Sequence, residues 1–253
     1  RSIIKFFDLA NVIDLLVTNT AVKATFIRDH LGVDSSKIYV VPEQTDVRFF
    51  TPGEATLEKT RPLIASAGRE QRDYKTLALA TQDLDLDVDI CAISPNASSS
   101  TQVLFPEEVP ANMSFHSYDW PEFRQLYRNS DVVVVSLLDN HYSAGLTSLI
   151  EAMACRRPII MTDTPGLAQQ LIEQGIVLGV KPGDFTAMSN SILHLLENPD
   201  KADALAEKGY RCCLQHHTSE NYVDCLAQEM QKLHPQQNSR RASPFYNSDS
   251  QLR

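Results

Sequence analysis

The sequence predicts an α/β protein built on a doubly wound, largely parallel sheet, and three observations carry that prediction. Short apolar runs alternate with amphipathic stretches along most of the chain, which is the order that βαβ units produce. The run "VVVV" at 132–135 is apolar on both faces, as a strand in the middle of a parallel sheet must be. The small-residue stretches "SAG" at 66–68 and 143–145 stand directly before helical patterns, where a parallel sheet gathers its ligands. With 253 residues, 43% of them hydrophobic, the chain can bury one large core or two modest ones.

The elements follow in order. Residues 14–19, "DLLVTN", read as a strand, 21–32 as a helix closed by Gly32 in the C-cap position, and 37–42, "KIYVVP", as the next strand. Residues 44–62 hold Pro52, Gly53 and Pro62 without a clean period and predict a linker, with a boundary near 50–60. The alternation then resumes with a strand at 62–68, a helix near 73–82, a strand at 86–94, a Ser, Asn and Pro-rich loop, and a strand at 113–118. A helix at 121–130, the strand "DVVVVSLL" at 131–138 and the helix of "GLTSLIEAMA" come next. Strand 157–162, a short helix from Pro165, strand 175–180 and helix 184–199 complete the sheet, and helices near 201–214 and 219–233 follow it. The expected organisation is 1–50, a linker at 51–61, a main α/β domain at 62–234, and a polar tail at 235–253 too poor in aliphatic residues to pack.

The net charge of −9 opposes broad attraction to phosphate backbones, so a nucleic-acid partner is not expected. Five cysteines, with no Cys-x-x-Cys spacing, suggest free thiols in a reducing compartment, and the adjacent Cys212 and Cys213 read as helix residues. No run approaches the ~20 apolar residues of a membrane span, and no secretory signal is legible, so a cytoplasmic location is expected. The opening "RSIIKFFDLANVID" reads as the end of a helix already under way, which suggests a fragment.

Four loops at strand ends are candidates for chemistry. "SAGREQRDYKTL" brings Arg69, Arg72 and Lys75 to a helix start, where cations and free N–H groups suit a diphosphate; solvated surface charges are the competing reading. "LLDNHYSAGLTSLIEAMA" starts a helix at Gly145, with Ser143 and Ala144 leaving room for a phosphate. Glu151 lies ~9 Å along that helix and can accept hydrogen bonds from both hydroxyls of a ribose, or else faces solvent near Arg156 or Arg157. "FHSYDWPEF" offers Tyr118 and Trp120 to a flat base, although core packing is the better expectation for Trp120 alone. "TDTPGL" places Asp163 and Gly166 at another helix start, which a capped turn explains fully. His216 and His217 lie between helices, and a metal role for them is not expected.

Together these residues describe a nucleotide-diphosphate site without an evident nucleophile, and at this point the chain resembles the donor-binding domain of GT-B glycosyltransferases, specifically the retaining family 4. The resemblance rests on "KIYVVPEQTDVRFFTPG", "GREQRDYKTL", "LYRNSDVVVVSL" and the block from "GLTSLIEAMACRRP" to "LLENPD", in that order, and covers roughly residues 14–215. It implies a Rossmann-like fold forming the C-terminal half of a GT-B protein, with residues 1–50 as the remainder of an acceptor domain. The implied reaction is transfer of a sugar from a nucleotide-diphosphate sugar, with retention and no obligatory metal or other cofactor. The acceptor would be a glycan, a lipid-linked or a small molecule, and the parent protein would work in the cytoplasm or at the cytoplasmic membrane face. Residue by residue, Glu151 would hold the ribose and Arg69 with Lys75 the diphosphate. Gly145, Leu146 and Thr147 would meet the phosphate at the helix start, and Ser117, Tyr118 and Asp119 would border the base.

The departures are specific. The family's first acid, eight residues before the second, is Ser143 here, and Asp139 stands in a comparable place when counted from the strand. The gap from Arg69 to Lys75 is one residue longer than usual, so Arg72 competes for the phosphate. Arg156 stands where the family usually has Gly. The resemblance implies that the intact protein is an enzyme while this chain binds donor with little turnover. A nucleotide-sugar-binding module without chemistry and a GT-B nucleotide-sugar epimerase are the alternatives.

Overall fold

The computed structural model describes residues 9–92, 103–140 and 144–233. A short helix α1 (Leu9–Val12) leads into a parallel two-stranded sheet, β1 (Leu16–Thr18) beside β2 (Ile38–Val40). Helix α2 (Ala21–Phe26) connects these strands; Thr20 caps its start, and its π-helical continuation ends at Gly32, whose φ of 73° is the left-handed conformation that closes a helix.

The main sheet has six strands, all parallel: β3 (Leu63–Ala67), β5 (Asp87–Cys91), β7 (Met113–Phe115), β8 (Val132–Val135), β9 (Ile159–Thr162) and β10 (Leu178–Val180). They run in the order β10-β9-β8-β3-β5-β7. All four valines of β8 are buried, as the apolar run predicts for a central strand. After β3 the chain builds outward to one side, through α3 (Tyr74–Thr81) to β5. From β7 it crosses back through α4 (Trp120–Asn129) to β8, and then builds outward to the other side through α5 (Leu146–Ala154) and α6 (Leu167–Glu173). The point where direction reverses therefore lies between β3 and β8, and parallel sheets of this kind bind ligands at the strand ends there.

Two apolar layers cover the faces of the sheet. One joins Ala65, Val133 and Ile159 with Leu126 and Tyr127 of α4 and Leu149, Ile150 and Met153 of α5. The other joins Ile64, Val132 and Ile160 with Leu77 of α3 and Met188, Ile192 and Leu195 of α7 (Phe185–Glu197). Helices α8 (Pro199–His216) and α9 (Ser219–Leu233) follow, α8 against α5 and carrying Cys212 and Cys213 within it. It is one continuous helix, four residues longer than the expected 201–214, because Pro199 suits a first helical turn.

One pairing was not anticipated: β4 (Arg72–Asp73) runs beside β6 (Val103–Leu104), two-residue strands too short for a periodic signal. The expected tail from 235 lies outside the described residues. No helix among the described residues is long and apolar enough to cross a membrane.

Candidate functional site

The site forms where the turns after β3 and β8 face each other across the reversal point. After β3 the backbone turns at Gly68 with a φ of 96°, and the Tyr74 hydroxyl donates to the Gly68 carbonyl. After β8 the chain is stitched to the first turn: Asp73 N donates to Ser136 O at 3.1 Å, the Ser136 hydroxyl donates to Asp73 O at 2.7 Å, and Leu138 N donates to Gln71 O at 2.9 Å. The Thr162 hydroxyl at the end of β9 accepts from Leu137 N at 2.9 Å, which fixes the neighbouring strand end as well.

Helix α5 begins at Gly145, whose φ of 79° places it in the left-handed region. A Cβ there would meet Val135 Cγ1 at 2.8 Å, so glycine is required both by conformation and by space. Among the described residues no side chain caps this end, which lies at the reversal point with Ala144 and Leu146 buried and Thr147 exposed.

Glu151 does not face solvent. It is 5% exposed, six residues beyond Gly145, and its Oε2 accepts from the Tyr127 hydroxyl of α4 at 3.1 Å. Burial raises the carboxyl to about 7, against the opposing effects of the Tyr127 hydrogen bond and the Arg72 charge. Burial likewise raises the Tyr127 phenol well above its ordinary value, with the Glu151 charge adding to it. Ser148 lies one turn before Glu151 on the same face, donating to Ala67 O at 3.2 Å and so tying α5 to β3.

The three cations of the first loop separate. Arg69 is exposed on the turn. Lys75 reaches Glu107 at 3.2 Å in a solvated pair. Arg72 is not a solvated loop charge but is 3% exposed, its Nε donating to Ala67 O at 2.7 Å, Nη1 to Glu70 O at 2.8 Å and Nη2 to Ser148 Oγ at 3.0 Å. Asp139 is exposed on the loop after β8, while Ser143 lies outside the described residues.

In the loop after β7, Ser117 is exposed and the Tyr118 hydroxyl donates to Asp89, which also meets His116 Nδ1 at 2.9 Å. Burial and the Asp89 carboxylate together push the Tyr118 phenol up. Asp119 caps α4 in a reciprocal capping box with Glu122. That cap corrects the expectation for Trp120: held at the first turn of α4, it is 61% exposed, its ring set edge-on with that of Phe123, with Pro121 after it. Asp163 is not a cap; its carboxylate pairs with Lys181 at 2.6 Å, and Gly166 starts α6.

Sequence reasoning missed Tyr127 and Ser148. Ser148 was readable, three residues before Glu151 and hence on its face; Tyr127 sits 24 residues away, where no spacing rule reaches.

Comparison with known proteins bears on the family and the fold. Residues 105–211 match the family model "Glycosyl transferases group 1". The D-inositol 3-phosphate glycosyltransferase of Paenarthrobacter aurescens is 30% identical over 192 residues, 67% of this chain and 46% of that protein. The enzyme of the same name from Geodermatophilus obscurus is 28% identical over 214 residues, 71% of this chain and 45% of that protein. The chain thus spans about half the length of these relatives. Among solved structures, sucrose-phosphate synthase from Thermosynechococcus elongatus superposes with a TM-score of 0.73 at 19% identity, covering 92% of this chain and 62% of that one. Anabaena HepE in complex with UDP-glucose gives 0.68 at 16%, covering 87% and 64%. Both share the fold.

Proposed function

We propose that this chain, which carries a glycosyl transferases group 1 domain in a GT-B fold, supplies the donor site of a family 4 transferase that moves a hexosyl group from a nucleotide-diphosphate sugar with retention. The observation that carries this reading is the uncapped start of α5 at Gly145, opening at the β3–β8 reversal beside the Gly68 turn, with Glu151 buried two turns further on. In this reading the diphosphate rests on the N–H groups of α5, with Arg69 and Lys75 at the rim. Lys75 would exchange Glu107 for the phosphate, a small change for an exposed pair. The ribose hydroxyls donate to Glu151, and the base lies along residues 117–119. The UDP-glucose complex of HepE, which shares the fold, supports a nucleotide sugar as the ligand class.

The chemistry follows from charge. As the bond from the anomeric carbon to the diphosphate breaks, negative charge grows on the leaving oxygen and the sugar gains oxocarbenium character. Helix N–H groups and cations already in place stabilise that charge without reorganising. No metal is invoked. Asp139, exposed on the loop after β8, takes the contact to the donor sugar that the family's first acid would make, since Ser143 carries no carboxylate. Asp139→Ala in the intact protein is then expected to slow transfer while leaving nucleotide affinity within twofold; an equal loss of both would remove the assignment.

Because the chain spans about half the length of its relatives, binding is the direct readout for it. Calorimetric titration with UDP, GDP and ADP is expected to show one preferred nucleotide. Glu151→Ala should weaken its binding by roughly 1 to 3 kcal/mol, the size of a lost hydrogen bond to a charged group. Unchanged affinity in that variant would take Glu151 out of the site.

A further inference from the structure

The ring of Tyr127 is packed against the stretch after β2, and its hydroxyl ends on Glu151. The side chain is fully buried, and its ring centroid lies 4.9 Å from that of Phe123 and 6.2 Å from that of Phe50. Phe50 belongs to the stretch after β2, which is fastened to α4 beside Tyr127. Arg128 Nε donates to Thr51 O at 3.0 Å and its Nη2 to Thr51 Oγ1 at 2.7 Å, while Arg124 Nη1 donates to Phe49 O at 3.3 Å. A Cβ on Gly53 would overlap the Arg128 guanidinium, so the stretch passes close over the helix. Packing of this kind holds the phenol in one setting, with its hydroxyl on Glu151 Oε2 at 3.1 Å. A buried phenol needs an acceptor, and a backbone carbonyl would serve; a carboxylate costs far more to enclose. The pairing therefore calls for a use of the carboxylate.

We infer that Tyr127 is a positioning residue for the ribose: by engaging Oε2 it fixes the roll of the Glu151 carboxylate and leaves Oε1 to meet the nucleotide hydroxyls. This role rests on the donor reading given above. The carboxylate of a Glu is only loosely held about its last torsion, and a donor fixed by packing removes that freedom before the ligand arrives. The hydroxyl also favours the charged form, which accepts from both ribose hydroxyls. It stays a donor, since burial and the Glu151 charge hold the phenol well above its ordinary value. Two other ionisable groups bear on Glu151. The charge of Arg72, from β4, also favours the carboxylate, and Cys155, at the C-cap of its own helix, is a thiol that burial keeps neutral by pushing it up to about 12. Both act through space, whereas Tyr127 is bonded to the carboxyl, so the phenol sets its direction.

The test compares a ribonucleotide with its 2′,3′-dideoxy counterpart, because a merely structural tyrosine would affect both. UDP, GDP and ADP are titrated first against the unaltered chain. If none binds, the donor reading falls; if one binds and Glu151→Ala leaves it unchanged, the ribose contact falls; either result takes this inference with it. Otherwise Tyr127→Phe, which keeps the ring and its packing, is expected to cut the preference for the ribonucleotide over the dideoxynucleotide by at least about fivefold, with dideoxynucleotide affinity within twofold. The ratio of the two affinities cancels the titration of the terminal phosphate, which both carry. In the unaltered chain that ratio is expected to rise with pH through about 7, and in Tyr127→Phe the rise should move to higher pH, since a bond that favours the charged carboxyl has gone. A smaller cut, a loss shared by both nucleotides, or an unmoved pH profile overturns the inference and leaves the donor reading standing. Should Tyr127→Phe fail to fold by circular dichroism, the same substitution in the Glu151→Ala background decides, because no carboxylate is left there to position. Affinities for both nucleotides equal to those of Glu151→Ala support the inference, and a further loss of either, or of the fold, overturns it.

Discussion

Glu151 is a carboxyl group whose surroundings work against its charge. Burial lifts it from its ordinary value of 4.5 to about 7, and only the Tyr127 hydroxyl and the more distant Arg72 work the other way. The sign of the consequence follows from proton counting. Between pH 4.5 and 7 the folded chain holds a proton that the unfolded chain has released, so stability falls as pH rises through that window and is flat above it. The size is on the order of 3 kcal/mol, taking about 1.4 kcal/mol for each unit. Glu151→Gln keeps the shape without the charge. Denaturant melts should find it more stable than the unaltered chain at pH 8, by about 1 to 3 kcal/mol, and equal to it near pH 4.5. An identical pH slope in both proteins would show that Glu151 does not titrate there. Such a cost is the kind of local sacrifice that binding sites make, since a ribose would supply the hydroxyl donors the buried carboxylate lacks.

At the scale of elements, α5 explains both what the sequence disclosed and what it concealed. Its apolar stripe and the glycine at its start are local signals, so its existence, its onset at Gly145 and its place after a central strand were all legible. The partners of its inner polar row were not, because Ser148 and Glu151 are met by Arg72 and Tyr127, 76 and 24 residues away. Trp120 misled for the converse reason: its size argues for burial, but the Asp119 cap fixes it at an exposed first turn. The end of α5 carries a further local conflict. Arg156 follows its C-cap with a φ of 55°, a conformation that costs a side-chain-bearing residue roughly 1 kcal/mol relative to glycine. In return it forms an exposed pair with Glu207 at 2.8 Å, a contact typically worth less than ~1 kcal/mol. Arg156→Gly should therefore leave stability within about 1 kcal/mol of the unaltered chain, while Arg156→Val, branched at Cβ, should lose about 1 to 2 kcal/mol. Equal behaviour of the two variants in thermal melts would mean that backbone strain is not what residue 156 contributes.

At the scale of the whole molecule, the small β1–β2 sheet and the six-stranded sheet are joined twice, by the stretch after β2 and by the return of the chain from α8 into α9. The two crossings meet at one knot. Thr45 N donates to His217 O at 2.9 Å, His217 Nδ1 lies 2.8 Å from the Glu43 carbonyl, and the Ser219 hydroxyl donates to Thr45 O at 3.2 Å. Because a carbonyl only accepts, His217 must carry its proton on Nδ1. Burial lowers the pKa of this imidazole below 6.5, outweighing the opposing bond to Glu43. The unfolded chain then takes up a proton first as pH falls, so the contribution of His217 to stability is present above 6.5 and is lost below it. This is the opposite slope to that of Glu151 over a shared range of pH, and the two would partly cancel in a single melt of the unaltered chain. Single variants separate them. His217→Asn, which can still donate to the Glu43 carbonyl, should abolish the acid-side loss below pH 6.5 and unmask the rise in stability that Glu151 produces on acidification. If that variant keeps the acid-side loss, the knot between the two sheets is held by its backbone bonds alone and His217 is not its titrating member.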